Sequence, residues 1–469
     1  MVFRSFFTLY ILIFSTYSAA YFPWLQSNNF TENDTFYHLK IDAQTTKFLN
    51  EGQLRYATGV ELNIDQPFFE TEASYTYNFT EKYHYFRPYE LSLKLEAEKG
   101  QWILGRQKKN WDPMDHFWHR NLWQPVYNDD YLRPKAAGLV GLFRDFNYHK
   151  GQLNLFGSFI FIPEILPPSQ TIAGKIISKN PWFVPPPSKI EIGSNILPNY
   201  QFQTPELKEF LKPSIGARAS YDTFYIAYSY KPMNQIRVKT NPTIDLSKEP
   251  KGDPETGFLL DIPVESVILQ HHLLSTGFTF QYPNYHNKQN INYLLNTSFT
   301  YNHPEKHTLK NKKWFFFQPL RECHLSVKGE IHIKDTLEET TLHLAYTHQF
   351  ALEERKDIPL LKIFSGQTKQ FFLDNLFQFS RAASTGITHS IRFNNDQLFE
   401  IKGRLIYHLL KEYFLFSFYG GYSYNQSVSL FVSGDILFSD FPFSIDQTKE
   451  NIGIYANKSR IFGGVSYAF

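Results

Sequence analysis

Cysteine is almost missing from this chain: Cys323 is the only one in 469 residues. An intramolecular disulfide and a thiolate metal cluster are therefore both excluded. Neither sign of charge is in excess, with 47 Lys and Arg against 45 Asp and Glu, so nothing points to nucleic acid. Long hydrophobic runs are lacking beyond the first twenty residues, and mean hydropathy is −0.37. No linker, low-complexity tract or repeat divides the chain. What the chain does have is aromatic side chains: 46 Phe, 30 Tyr and 7 Trp. Aromatic wealth without a helix-length apolar run suits walls in which only every second residue meets an apolar surrounding.

The first twenty residues look like an export signal. Arg4 supplies a positive start, Ser5 to Phe14 an apolar core, and Ser18-Ala19-Ala20 the small residues of a cleavage site before Tyr21. The core is shorter than the ~20 residues a membrane-spanning helix needs. The expected organisation is a cleaved signal at 1–20 and a single domain at 21–469. Loss of Arg4 takes the formal charge from +2 to about +1.

Period-two segments run from one end to the other. In Tyr89–Glu98, Tyr89, Leu91, Leu93, Leu95 and Ala97 alternate with Glu90, Ser92, Lys94, Glu96 and Glu98. In His324–Ile333, Leu325, Val327, Gly329, Ile331 and Ile333 alternate with His324, Ser326, Lys328, Glu330 and His332. Phe399–His408 and Ser427–Phe438 repeat the pattern. Candidate strands cover 35–45, 54–64, 67–78, 89–98, 101–107, 138–148, 151–162, 214–221 and 223–231. They continue over 273–283, 291–302, 322–333, 339–350, 385–394, 397–408, 412–424, 426–438 and 459–469, eighteen in all. Sixteen is the alternative count, because 273–302 and 370–394 are less regular. Connections alternate between very short (Asp65-Gln66, Lys99-Gly100, His149-Lys150, Asp222, Asn425) and long (108–137, 163–213, 232–272, 351–384).

The last nine residues, Ile461-Phe-Gly-Gly-Val-Ser-Tyr-Ala-Phe469, place Ile461, Gly463, Val465, Tyr467 and Phe469 on one face. This segment resembles the closing strand of Gram-negative outer-membrane β-barrels, with Tyr467 and Phe469 at the positions that the barrel assembly machinery reads in that class. The resemblance implies an all-β, up-and-down antiparallel barrel in the bacterial outer membrane, both termini in the periplasm, and long external loops over or in the lumen. Its expected partners are outer-membrane lipid and lipopolysaccharide, the assembly machinery, and small hydrophilic solutes. A homo-oligomer is compatible with it; no cofactor is implied.

The densest chemistry lies in Gly105–Pro125. Asp112 can cap a short helix begun by Pro113, with Asp115 bonding back to it. Asp112, Asp115, His116 and His119 would share one helix face, a spacing that suits zinc or manganese. Capping already accounts for both carboxylates, so no metal is expected. The preferred reading is a segment folded into the barrel mouth, packed by Trp111, Phe117, Trp118 and Trp123. It would offer Arg106, Lys108, Lys109, His119 and Arg120 to solutes, and the expected function is a porin-like outer-membrane channel for small hydrophilic solutes, narrowed by this inward-folded loop at about 108–137. Gly105-Arg106-Gln107 also looks like a strand ending found in several porin-like families. Parity further predicts an inward set of Glu90, Lys94, Glu96, Arg218, Lys328, Glu330, Glu400, Lys402 and Arg404. Phe156, Ile160, Tyr225, Ile406 and Phe431 share those inward faces.

The alternative function is a plugged barrel that binds surface polysaccharide or serves assembly, with Trp111, Trp118, Trp123 and Trp182 as sugar platforms. Ten prolines in 163–213 argue against regular structure through most of that stretch. It is expected to be an ordered external loop, with one helical turn near Pro205–Leu211. Cys323 shares parity with Leu325 and should face lipid. No Gly-x-Ser-x-Gly elbow, His-Glu-x-x-His motif or phosphate loop is present, so no enzyme is expected.

Overall fold

A computed structural model describes residues 36–468 except 50–53, 166, 168, 184–189, 192–194, 204–205, 242, 246–257, 285–289, 308–314, 317, 354–378, 394–396, 410–412, 426 and 440–457. The expected signal at 1–20 and Phe469 lie outside the described residues. Eighteen antiparallel strands form one closed ring. The first six are β1 (Phe36–Phe48), β2 (Leu54–Gln66), β3 (Phe69–Asn78), β4 (Tyr83–Ala97), β5 (Gly100–Gln107) and β6 (Leu139–Tyr148). Next come β7 (Gly151–Ser158), β8 (Ser214–Tyr221), β9 (Phe224–Pro232), β10 (Gln270–Asn284), β11 (Asn290–Pro304) and β12 (Glu322–Lys334). The ring ends with β13 (Glu338–Ala351), β14 (Arg381–Arg392), β15 (Leu398–His408), β16 (Tyr413–Ser423), β17 (Val428–Ser439) and β18 (Arg460–Ala468). Strand β1 pairs with β18 from Lys40↔Ala468 to Phe48↔Arg460, and this closes the ring. Each expected strand is present, and closure leaves no edge strand in the ring.

Among the described residues no helix is long and apolar enough to cross a membrane. The strands carry the apolar surface instead. Leu93, Leu104, Ile215, Leu295, Val327, Leu344, Ile401, Val432 and Val465 are exposed on the outer face. Ser92, Asn154, Ser275, Ser298, Ser326, Ser384 and Ser433 are buried on the inner face. The tight turns follow the expected chemistry: Lys99 and Asp222 have φ of 57° and 52°, which two-residue hairpins of right-twisted strands require.

Three sequence expectations change. Tyr89 faces inward, not outward. The β3–β4 register shifts between Glu72 and Ala73, leaving Tyr89 as the extra residue of a bulge, so Tyr89 and Glu90 are both buried. A bulge re-aims side chains, and beyond this one Arg87 and Tyr85 point into the barrel. Ile160 lies past the end of β7, which stops at Ser158, and is exposed. The proline-rich stretch contains regular strand: Asn195–Phe202, with Pro198 inside it, pairs in parallel with Phe258–Val267. Its antiparallel neighbour Ile190–Glu191 reaches only residues 195–196 and Tyr200 bonds Gly174, so the missing N–H of Pro198 faces away from its parallel partner, in the gap between these contacts. This outer sheet also takes Arg237–Thr240, Thr243–Asp245 and Phe315–Phe316, and Ile176, Tyr200, Leu260, Ile262 and Val264 form its core. The helical turn expected near 205–211 is a 3₁₀ turn at Leu207–Glu209.

Candidate functional site

Residues 108–138 leave the end of β5 and cross the lumen. Gly105 allows the departure. Its φ is +132°, and a Cβ there would lie 2.3 Å from the Leu91 carbonyl oxygen. Past it, Arg106 turns inward and donates to the Gly138 carbonyl (3.1 Å) and the Tyr127 hydroxyl (3.0 Å). The Lys108 amide donates to the Glu90 carboxylate at 2.7 Å, while its ammonium pairs with Glu72. Lys109 pairs with Asp145 at 2.6 Å.

Asp112 then caps the short helix α1 (Pro113–Phe117), accepting the Met114 amide at 2.8 Å. The same carboxylate accepts three hydroxyls from the far wall: Tyr225 of β9 (3.2 Å), and Ser298 (2.7 Å) and Thr300 (2.6 Å) of β11. Burial opposes its ionisation. The Arg120 guanidinium and these hydrogen bonds outweigh burial and hold Asp112 below the ordinary carboxylate range. Asp115 does not bond back to the cap, as the sequence suggested. It reaches forward to the Leu122 (3.1 Å) and Trp123 (3.2 Å) amides and folds the chain over itself. His119 and Asn121 make that fold with φ of 51° and 57°. Burial pushes Asp115 up to about 6, partly offset by Arg120 and reinforced by the neighbouring Asp112. Burial, then the charge of Arg404, pushes His119 down to about 3, so it is neutral. Both carboxylates are thus committed to amides and hydroxyls, and among the described residues no three His, Cys, Asp or Glu are placed to hold a metal ion.

The tryptophans pack the segment to the wall. Trp111 stacks on Trp123 with centroids 5.6 Å apart, and the Trp123 indole donates to Ser275 at 3.0 Å. Trp118 is fully buried with Met114, Leu132, Phe379, Ile406 and Leu415. Trp182, from the covering segment between β7 and β8, lies against Phe48 and Arg460. All four indoles are 4% exposed or less, so their faces are occupied by protein and are not sugar platforms.

The distal part carries ions. Arg87 pairs with Asp129, Arg460 with Asp130 (2.7 Å) and Asp435 (2.8 Å), and Arg133 with Asp435 (2.9 Å). Asn180 of the covering segment donates to the Asp129 carbonyl (2.9 Å) and the Tyr85 hydroxyl (2.6 Å). This chain escaped the sequence reading. Asp130 and Arg133 find their partners Arg460 and Asp435 about 300 residues away, and Asp129 finds Arg87 42 residues away.

The remaining predicted residues are scattered over the wall, apart from Arg120 on the crossing segment. Lys94 bonds Asp65 and Glu70 at 2.9 Å each. Lys328 pairs with Glu330 (2.8 Å) and lies over the Phe117 ring. Glu400 pairs with Lys402 at 2.9 Å. Arg404 donates to Ser384 and to the Phe117 carbonyl at 3.1 Å each. Arg120 is buried and donates to Ser326 at 2.9 Å. Arg218 stacks on Tyr225 at 5.1 Å. Glu96 is exposed near the short-turn end. Tyr467 is on the outer face of β18, opposite Ile41 and Val428. The crossing segment stands between two cavities that share Lys109, Asn110 and Trp111 as lining. One is about 370 Å³ and includes Arg218 and Tyr225; the other is about 770 Å³ and includes His116, His119 and Arg404.

No protein-family model matches the chain, and no curated protein matches it. Solved structures with a similar shape include a BenF-like porin from Pseudomonas fluorescens Pf-5, at 9% identity, TM-score 0.47, covering 94% of this chain and 99% of that one. OccAB1 of Acinetobacter baumannii is similar at 10% identity and TM-score 0.46, covering 93% and 96%. OpdK of Pseudomonas aeruginosa, solved with vanillate, is similar at 9% identity and TM-score 0.44, covering 93% and 98%.

Proposed function

We propose that this chain is an outer-membrane channel for small hydrophilic solutes, constricted by residues 108–138. One observation carries the reading. A closed barrel with an apolar outer face and a polar inner face is crossed by a segment that leaves a solvent cavity on each side. A barrel of this strand number has room for a channel, and folded segments set its width. Lys108, Lys109, His119 and Arg404 line the larger cavity beside the crossing segment. The three cations, Lys108, Lys109 and Arg404, are matched by carboxylates or a carbonyl, so their part is to fix the opening and tune selectivity, with solutes exchanging quickly. Bacterial outer-membrane lipid and lipopolysaccharide are the expected surroundings. Tyr467 and the terminal Phe469 are the expected assembly signal.

The test is single-channel conductance of refolded protein in a planar bilayer, with and without residues 108–123. Stepwise currents that enlarge on deletion are expected. Silence in both forms would overturn the channel reading.

A further inference from the structure

Strands β7 and β8 have 8 residues each, whereas β10 to β13 have 13 to 15. Eight residues at ~3.3 Å, tilted ~45°, cover roughly 19 Å, short of the ~25 Å apolar band of a barrel in this membrane. The outward residues of these strands, Leu155 and Ile215, are lipid-facing by parity with their neighbours. The same parity, carried past the last paired rung Ser158↔Ser214, gives Phe159 and Leu211. Phe159 is 79% exposed and Leu211 55%; Leu207, on the 3₁₀ turn beside them, is 74% exposed.

The chain here has left the ladder, yet the amides of Ile160, Phe161, Phe210 and Leu211 are bonded within it. The Ser158 hydroxyl receives the Ile160 amide at 2.9 Å, and the Phe161 amide donates to the Phe210 carbonyl at 2.8 Å. The turn closes Phe210 N–H onto Leu207 at 3.0 Å and Leu211 N–H onto Lys208 at 3.3 Å. Lys208 pairs with Glu206, and Lys212 with Glu209 at 3.6 Å. Irregular backbone can face hydrocarbon only when its donors and acceptors are met internally.

We propose that 158–161 and 207–213 form an elbow seated in the outer leaflet, with Phe159, Leu207 and Leu211 against acyl chains. The elbow completes the apolar band over β7 and β8. It also anchors both ends of the covering segment that sets Asn180 and Trp182 over the lumen. The inference rests on the outer-membrane reading above, and the experiment separates the two.

Full-length protein carrying Cys323→Ser receives single cysteines at Leu207, Leu211, Leu295 and Ile172, each spin-labelled after refolding into phospholipid vesicles. Collisions with oxygen and with a water-soluble nickel chelate are measured. Labels at 207 and 211 should match the lipid-facing 295 label, with a severalfold excess of oxygen over nickel, while 172, exposed on the hairpin of Gln170–Ile172 with Lys175–Ile177, favours nickel. Nickel access at 207 and 211 with 295 still in lipid would overturn the elbow alone. Nickel access at 295 would overturn the membrane reading itself. Dipolar broadening at 207 or 211 would place a second copy there and overturn the lipid contact.

Discussion

Residues 111–123 are held across the lumen by carboxylates that accept from neutral donors, whereas residues 129–133 are held by alternating ions. In the first region Asp112 gathers three wall hydroxyls and an amide, Asp115 two amides, and Trp123 donates to Ser275. In the second, Arg87, Asp129, Asp130, Arg460, Asp435 and Arg133 form a chain from β4 to β17. Neutral donors around a dry carboxylate respond to protonation and hardly to salt. An ion chain with one partly exposed end, the Arg133 side chain at 35%, also responds to screening. One segment therefore has two fastenings with different sensitivities.

The largest effect should come from the ionic side. Asp435→Ala leaves Arg133 and Arg460 facing each other without their shared carboxylate and should cost roughly 3–5 kcal/mol, read as a lower urea midpoint in vesicles. If the two fastenings differ as stated, this loss shrinks in high salt. Asp112→Ala removes a cap and three hydroxyl contacts and should cost roughly 2–4 kcal/mol, with the same value at low and high salt. A salt-dependent Asp112 effect would erase the distinction.

The third test uses pH. The Asp115 pKa is raised in the folded protein to about 6, from the ordinary 3.8. The folded state therefore binds this proton more tightly, and the gain is complete below about 4 and lost as pH rises through about 6. The difference between wild type and Asp115→Asn should swing by on the order of 3 kcal/mol across that window. A constant difference would show that Asp115 does not titrate there. Smaller still, Trp123→Phe removes the hydrogen bond to Ser275 and should cost about 1 kcal/mol in the same unfolding assay. Glu400→Gln should change stability by less than about 0.5 kcal/mol, because Lys402 is half exposed.

Much of the wall was readable as a pattern. The stretch 322–333 alternates so regularly that strand, face and outward-facing Leu325 and Val327 follow from period two alone, and β12 is Glu322–Lys334. The same rule failed at Tyr89, because a bulge adds one residue to one strand only, and nothing within β4 says which partner it faces. Pro198 misled for a related reason. A proline forbids strand only where its N–H is needed, and that depends on neighbours some sixty residues away. In the crossing segment Asp112, Pro113 and the tryptophans marked a capped, buried turn. The sequence could not show that the Asp112 carboxylate also holds Tyr225, Ser298 and Thr300.

By itself the sequence determined what is local: alternation, the short turns, the capped helix and an apolar closing strand, since each depends on residues within a few positions. Only the tertiary structure decided which wall the crossing segment meets, which cations are already neutralised, and that the indoles are covered. Those outcomes are contacts between residues hundreds of positions apart, brought together by closure of the ring.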